Sequence, residues 1–170
     1  MANNLPALHR VVTGHNESGT ANIVWNSLLD FTDIPGMAGA RSAPIWTTVD
    51  SIPTDDNNSS EDGAMRPVDS GIVHSNGTNL RATDLAPGAV TPMHRTVSLD
   101  HNILIQGEVI LVMEDGSETH LKTPGDVVVM KGGLHAWRNP STDSWARWVS
   151  VIIAAQPAIV LGKALEAEVK

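Results

Sequence analysis

Cysteine is absent from this chain, which excludes thiolate nucleophiles, disulfides and sulfur-ligated metal centres. Tyrosine is absent too and phenylalanine occurs once, so the aromatic load falls on five tryptophans. No apolar run approaches the ~18 residues that a membrane span requires. The opening MANNLPALHR has no basic flank leading into an apolar stretch, so a signal peptide is not expected. Lysine and arginine never cluster and the formal net charge is -8, which argues against nucleic acid and acidic membrane surfaces as partners. The sequons at Asn16, Asn57, Asn58 and Asn76 are accordingly not expected to be glycosylated, and the expected location is cytoplasmic.

What is there is 170 residues, 18.1 kDa, the length of one domain with a real core. Short β-like runs dominate. HRVVTG, NIVWNSLL and SAPIWTTV precede a polar, acid- and amide-rich stretch over 50–69 that reads as a surface loop. GIVHS and NLRATDL flank Asn76-Gly77, a type I′ hairpin signal because both turn positions need positive φ. HNILIQ, EVILVME, ETHLK, GDVVVM, HAWRN and ARWVSVIIAA follow, separated by Gly, Pro, Ser and Asp. Such spacing predicts an all-β fold, an antiparallel sandwich or barrel. The tail over 157–170 has helical spacing and favourable formers, so a short C-terminal helix is expected there.

Two spaced blocks stand out. The first is Gly88, His94, Thr96, Asp100 and Gly107; the second is Gly125, Met130, Gly132, His135 and Asn139. Residues two apart on a strand share a face, so His94 goes with Thr96, His135 with Trp137, and Asp100 with Asn102 and Leu104. This predicts a pocket holding His94, Asp100 and His135 as catalytic groups, walled by Thr96, Asn102, Leu104 and Trp137. Arg95 and His101 have the opposite parity and are expected on the outer face. Two imidazoles and a carboxylate suit proton transfer near neutral pH. A metal set of His94, Asp100 and His135 is the alternative. Against it, the Thr96 hydroxyl is a poor ligand, and Asp is one methylene shorter than Glu where metal bonds tolerate only ~0.2 Å. No cofactor is expected.

These blocks resemble the two-part signature of the cupin superfamily, whose first part usually reads G-x5-H-x-H-x3,4-E-x6-G and holds a metal. The run PMHRTVSLDH with LHAWRN is similar to that of a subgroup of small single-domain cupins of bacteria and filamentous fungi, with His101 where Tyr is usual. The resemblance implies a jelly-roll barrel over 70–156. It also implies a homodimer formed partly through the strands of 1–69, and duty in secondary-metabolite pathways. The expected activity is dehydration, decarboxylation or cyclisation of a polyketide-like or other oxygenated metabolite, without metal. A metal-dependent (Fe, Ni or Zn) dioxygenase and a non-catalytic small-molecule binder are the competing expectations.

Overall fold

Alternation along the strands sets the architecture. The computed structural model describes residues 3–68 and 71–170. Its strands in chain order are β1 (His9–His15), β2 (Ala21–Leu28), β3 (Thr32–Asp33), β4 (Ala40–Thr48) and β5 (Thr78–Leu85). Next come β6 (His94–Arg95), β7 (Ser98–Gln106), β8 (Val109–Met113), β9 (Glu118–Leu121) and β10 (Val127–Lys131). The last are β11 (His135–Arg138), β12 (Ala146–Ala154), β13 (Ala158–Val160), β14 (Lys163–Leu165) and β15 (Glu168–Val169). A six-stranded sheet is ordered β10-β7-β12-β5-β4-β3, a five-stranded sheet β15-β6-β11-β8-β9, and every pairing in them is antiparallel. The all-β jelly-roll expectation holds.

The two inner faces supply the core. Leu85, Leu104, Met130 and Trp148 of the larger sheet meet Val109, Leu111, Leu121 and Trp137 of the smaller. Burying each such side chain contributes roughly 1.5–3 kcal/mol, so this cluster closes one end of the sandwich. The other end stays open and becomes the cavity described below.

The outer face of the larger sheet is covered by the N-terminal segment. Phe31, Ala43 and Ala82 pack there with Leu8, Leu29, Ile45 and Val149. Beside them Arg147 makes a two-pronged ion pair with the fully buried Asp84, Nε–Oδ1 2.5 Å and Nη2–Oδ2 2.8 Å. Asn3 donates to Asp84, and Arg147 donates to the Pro6 carbonyl and lies over the Phe31 ring. A buried pair of this kind is tolerable because its remaining donors and acceptors are also met. The acidic loop is pinned by arginines as well, through Arg10–Asp62 and Arg66–Asp56, both at 2.6 Å.

Three expectations need correction. The tail is not helical: β13 and β14 form a hairpin turned at Leu161-Gly162, with φ of 49° and 78°, and β15 joins the five-stranded sheet beside β6. β-branched Ile159 and Val160 and the positive-φ turn override the helix-forming composition. Asn76-Gly77 does not close a type I′ hairpin, since Gly77 is not at positive φ. Gly77 is required for another reason: a Cβ there would stand 1.8 Å from the Thr48 carbonyl oxygen. Finally, Arg95 is not on an outer face but 9% exposed, shared between Glu114 and Glu168.

Candidate functional site

β6 and β11 are neighbours in register, His94 directly opposite His135. Their side chains therefore share a face, with ring centroids 4.4 Å apart at 47°. Each ring is fixed through Nδ1, which donates to a carbonyl two residues back: Pro92 at 2.8 Å for His94 and Gly133 at 2.9 Å for His135. These donations set the tautomer, so in the neutral state each Nε2 carries a lone pair. Trp137 meets His135 edge-on at 5.6 Å and contacts Trp148 of the opposite sheet, also at 5.6 Å.

The pair borders a cavity of about 630 Å³ between the sheets. Of the residues predicted from the sequence, His94, Thr96, Asp100, Asn102, His135 and Trp137 all line it. Leu104 does not. It is 1% exposed and packs in the closed-end core, one inward step deeper than Asn102 on β7. His101 lies outside the lining, as parity requires. Asn139, the last residue of the second block, is structural: its amide donates to the Leu85 and Ser144 carbonyls and its oxygen accepts from Ser141 N.

Sequence reasoning missed the opposite wall. Arg81, Ser150 and Asn102 lie side by side across β5, β12 and β7, and Ser42, Thr83 and Trp148 also line the cavity. The alternation Arg81, Thr83, Leu85 was available as a signal. Arg95 also lines the cavity, because the two-residue β6 is too short for strand parity to turn it away.

Electrostatics separate the titratable groups. His135 is 3% exposed, and burial first, then the charge of a protonated His94, lower its pKa to about 4. His135 therefore resists protonation, and positive charge on its neighbour adds to that resistance. Burial pushes the Asp100 carboxyl above the usual carboxylate range, partly offset by the Ser98 hydroxyl and by positive charge on His94 and His101. Ser98 has a single proton and donates it to Thr96 Oγ1 at 2.8 Å, so the burial effect prevails. Asp100 Oδ1 is buried with no hydrogen-bond partner. The imidazoles are oriented by the backbone carbonyls of Pro92 and Gly133, with no hydrogen bond from either ring to Asp100.

A divalent ion, the group this fold commonly holds, requires a convergent set of donors. Among the described residues, no group of three or more His, Asp or Glu side chains is gathered for one ion. The cavity offers two imidazole nitrogens and the Asp100 carboxylate, which is not gathered with them around one point, and the Thr96 hydroxyl oxygen already accepts from Ser98. As positioned, these residues do not form the three-ligand set that such a centre needs.

No protein-family model matches the chain. Phomopsin biosynthesis cluster protein D of Diaporthe leptostromiformis is 34% identical over 161 residues, 92% of this chain and 84% of that protein. Oryzines biosynthesis cluster protein J of Aspergillus oryzae is 33% identical over 171 residues, 94% and 90% of the two chains. A cupin-domain-containing oxidoreductase of Hypocrea virens is 30% identical over 160 residues, 91% and 81%. Among solved structures, the polyketide cyclase RemF of Streptomyces resistomycificus superposes with a TM-score of 0.51 at 13% identity, covering 76% of this chain and 77% of that one. At that identity the likeness concerns fold.

Proposed function

This chain belongs to the cupin-domain family, and on that footing we propose that it is a small-molecule enzyme of secondary-metabolite biosynthesis working by acid–base catalysis. Its reaction is a dehydration, decarboxylation or cyclisation of an oxygenated metabolite. The observation that carries this reading is the His94–His135 pair, two rings 4.4 Å apart at the edge of a cavity, with His135 kept neutral by burial.

In a dehydration, His135 Nε2 takes the proton alpha to a substrate carbonyl while His94 delivers its proton to the departing hydroxyl, which leaves as water. As His94 discharges, the charge that holds down the pKa of His135 disappears, so the two transfers assist each other. Asp100, held toward its protonated form by burial, donates a hydrogen bond to a substrate oxygen. Trp137, Trp148 and Ile152 give the apolar walls that keep these charges from being screened.

A second reading, oxidation, is favoured by the names of four relatives, each a cupin-domain-containing oxidoreductase. The experiment separates the two by mass. The intermediate that accumulates when the gene is deleted is fed to the purified protein. Acid–base chemistry gives loss of water, loss of carbon dioxide or an isomer of unchanged mass. Loss of two hydrogens or gain of oxygen, dependent on added iron(II), establishes oxidation instead. A compound bound and returned unchanged points to a binding protein. The protein acts as a homodimer in this reading, joined through the β1–β2 hairpin, whose Val11, Ile23, Val24 and Leu28 are exposed.

A further inference from the structure

The charge balance of the cavity is incomplete. Six of the seven arginines have an acidic partner: Arg10–Asp62 at 2.6 Å, Arg41–Asp33 at 3.4 Å, Arg66–Asp56 at 2.6 Å, Arg95–Glu168 at 3.5 Å, Arg138–Glu118 at 2.6 Å and Arg147–Asp84 at 2.5 Å. Arg81 has none among the described residues, although it lines the cavity and is largely withdrawn from solvent. Its one hydrogen bond runs from Nε to Ser42 Oγ at 2.8 Å. Ser42 spends its own proton on the Ala82 carbonyl at 2.9 Å, which fixes it as the acceptor. The guanidinium is thus held by its inner nitrogen, and neither terminal nitrogen has a partner among the described residues.

No other described residue of the cavity neutralises it. Of the described lining acids, Asp33 faces Arg41, Glu168 faces Arg95 and Lys170, and Asp100 is held toward its neutral form. Burial pushes the Arg81 pKa down, with no carboxylate among the described residues to oppose it. A buried charge left unpaired is costly, and retaining one in a cavity wall makes sense where a ligand completes the pair. The neighbouring polar groups agree in sign. Ser150 Oγ donates to Asn102 Oδ1 at 2.6 Å, so the amide nitrogen of Asn102 is the end left to meet a ligand, as a donor.

We propose that Arg81 anchors the carboxylate of the substrate in a two-pronged pair, so that the enzyme acts on organic acids. This rests on the acid–base reading for the location of the reacting carbon. Arg81 stands on the six-stranded sheet and the imidazoles on the five-stranded one, and facing sheets lie about 10 Å apart. The substrate therefore bridges the sandwich, carboxylate on one wall and reacting centre at the other, with its apolar body against Trp137, Trp148 and Ile152.

Benzoate and benzamide, equal in shape and different in charge, are the probes, with binding followed by ligand-observed NMR. The wild type is expected to bind benzoate at least roughly tenfold more tightly, the scale of a charge-assisted hydrogen bond. Arg81→Met removes the preference while benzamide binding stays; Arg81→Lys, which keeps the charge and loses the fork, restores part of it. Equal affinity of the wild type for the two probes overturns the proposal, as does a preference that survives in Arg81→Met. Should Arg81→Met fail to fold by circular dichroism, the wild-type comparison and Arg81→Lys still decide. The readout needs no turnover. A wild type that shows no preference but eliminates water removes the anchor alone, and a wild type that shows the preference without that activity removes the acid–base reading alone.

Discussion

His135→Gln should make the protein less sensitive to acid. In the folded state the His135 pKa is lowered from 6.5 to about 4, so the unfolded chain binds a proton there more readily than the folded one. The neutral ring's contribution is fully present above pH 6.5 and is lost as pH falls toward 4. One pKa unit corresponds to about 1.4 kcal/mol, so the full effect is about 3 kcal/mol and its share between pH 7 and pH 5 about 2 kcal/mol. Asp100 works in the opposite sense, its carboxyl being more easily protonated folded than unfolded, and it is common to both proteins, so its share cancels in the comparison. Urea unfolding of wild type and His135→Gln at pH 7, 6 and 5 gives the difference directly, with other groups cancelling. The wild type should lose about 2 kcal/mol more than the variant over that range. His94→Gln, which removes the second cause of the shift and keeps the burial, should fall between them. Parallel pH dependences in wild type and His135→Gln would refute the reasoning, because the ring would then be no harder to charge in place than in the unfolded chain.

Three further outcomes are expected. Leu104→Ala should cost roughly 2–5 kcal/mol by urea unfolding while leaving benzoate binding unchanged, since the side chain packs in the core and not in the cavity. Arg147→Met should cost roughly 3–5 kcal/mol because it strands the fully buried Asp84, with increased proteolysis of the N-terminal segment as a second readout. If the β1–β2 hairpin joins two copies, light scattering should show a dimer for the wild type and a monomer for Ile23→Lys combined with Val24→Lys; a monomeric wild type or an unaltered dimer would refute that interface.

The inner faces of β7 and β11 were legible because alternation is strict there: Asp100 with Asn102, His135 with Trp137. Parity gives the face of a strand but not the depth, which is why Leu104 was placed in the pocket and lies in the core. It also fails on β6, where two residues are too few to hold Arg95 outward and Glu168 of β15 draws it in. Arg81 escaped because no motif surrounds it; its meaning comes from partners it lacks, which only a folded arrangement reveals. The tail misled because Ala, Leu, Lys and Glu favour helices in isolation, while pairing with β6 supplies strand hydrogen bonds that composition does not encode.

That pairing has a practical side. Val169 sits opposite His94, so the strand bearing one half of the proton pair has β11 on one flank and these late residues on the other. Trimming the polypeptide before Glu168 would leave His94 on a bare sheet margin, its ring loosened from its partner. Expression designs that keep this strand are the ones in which activity, or its absence, can be read at face value.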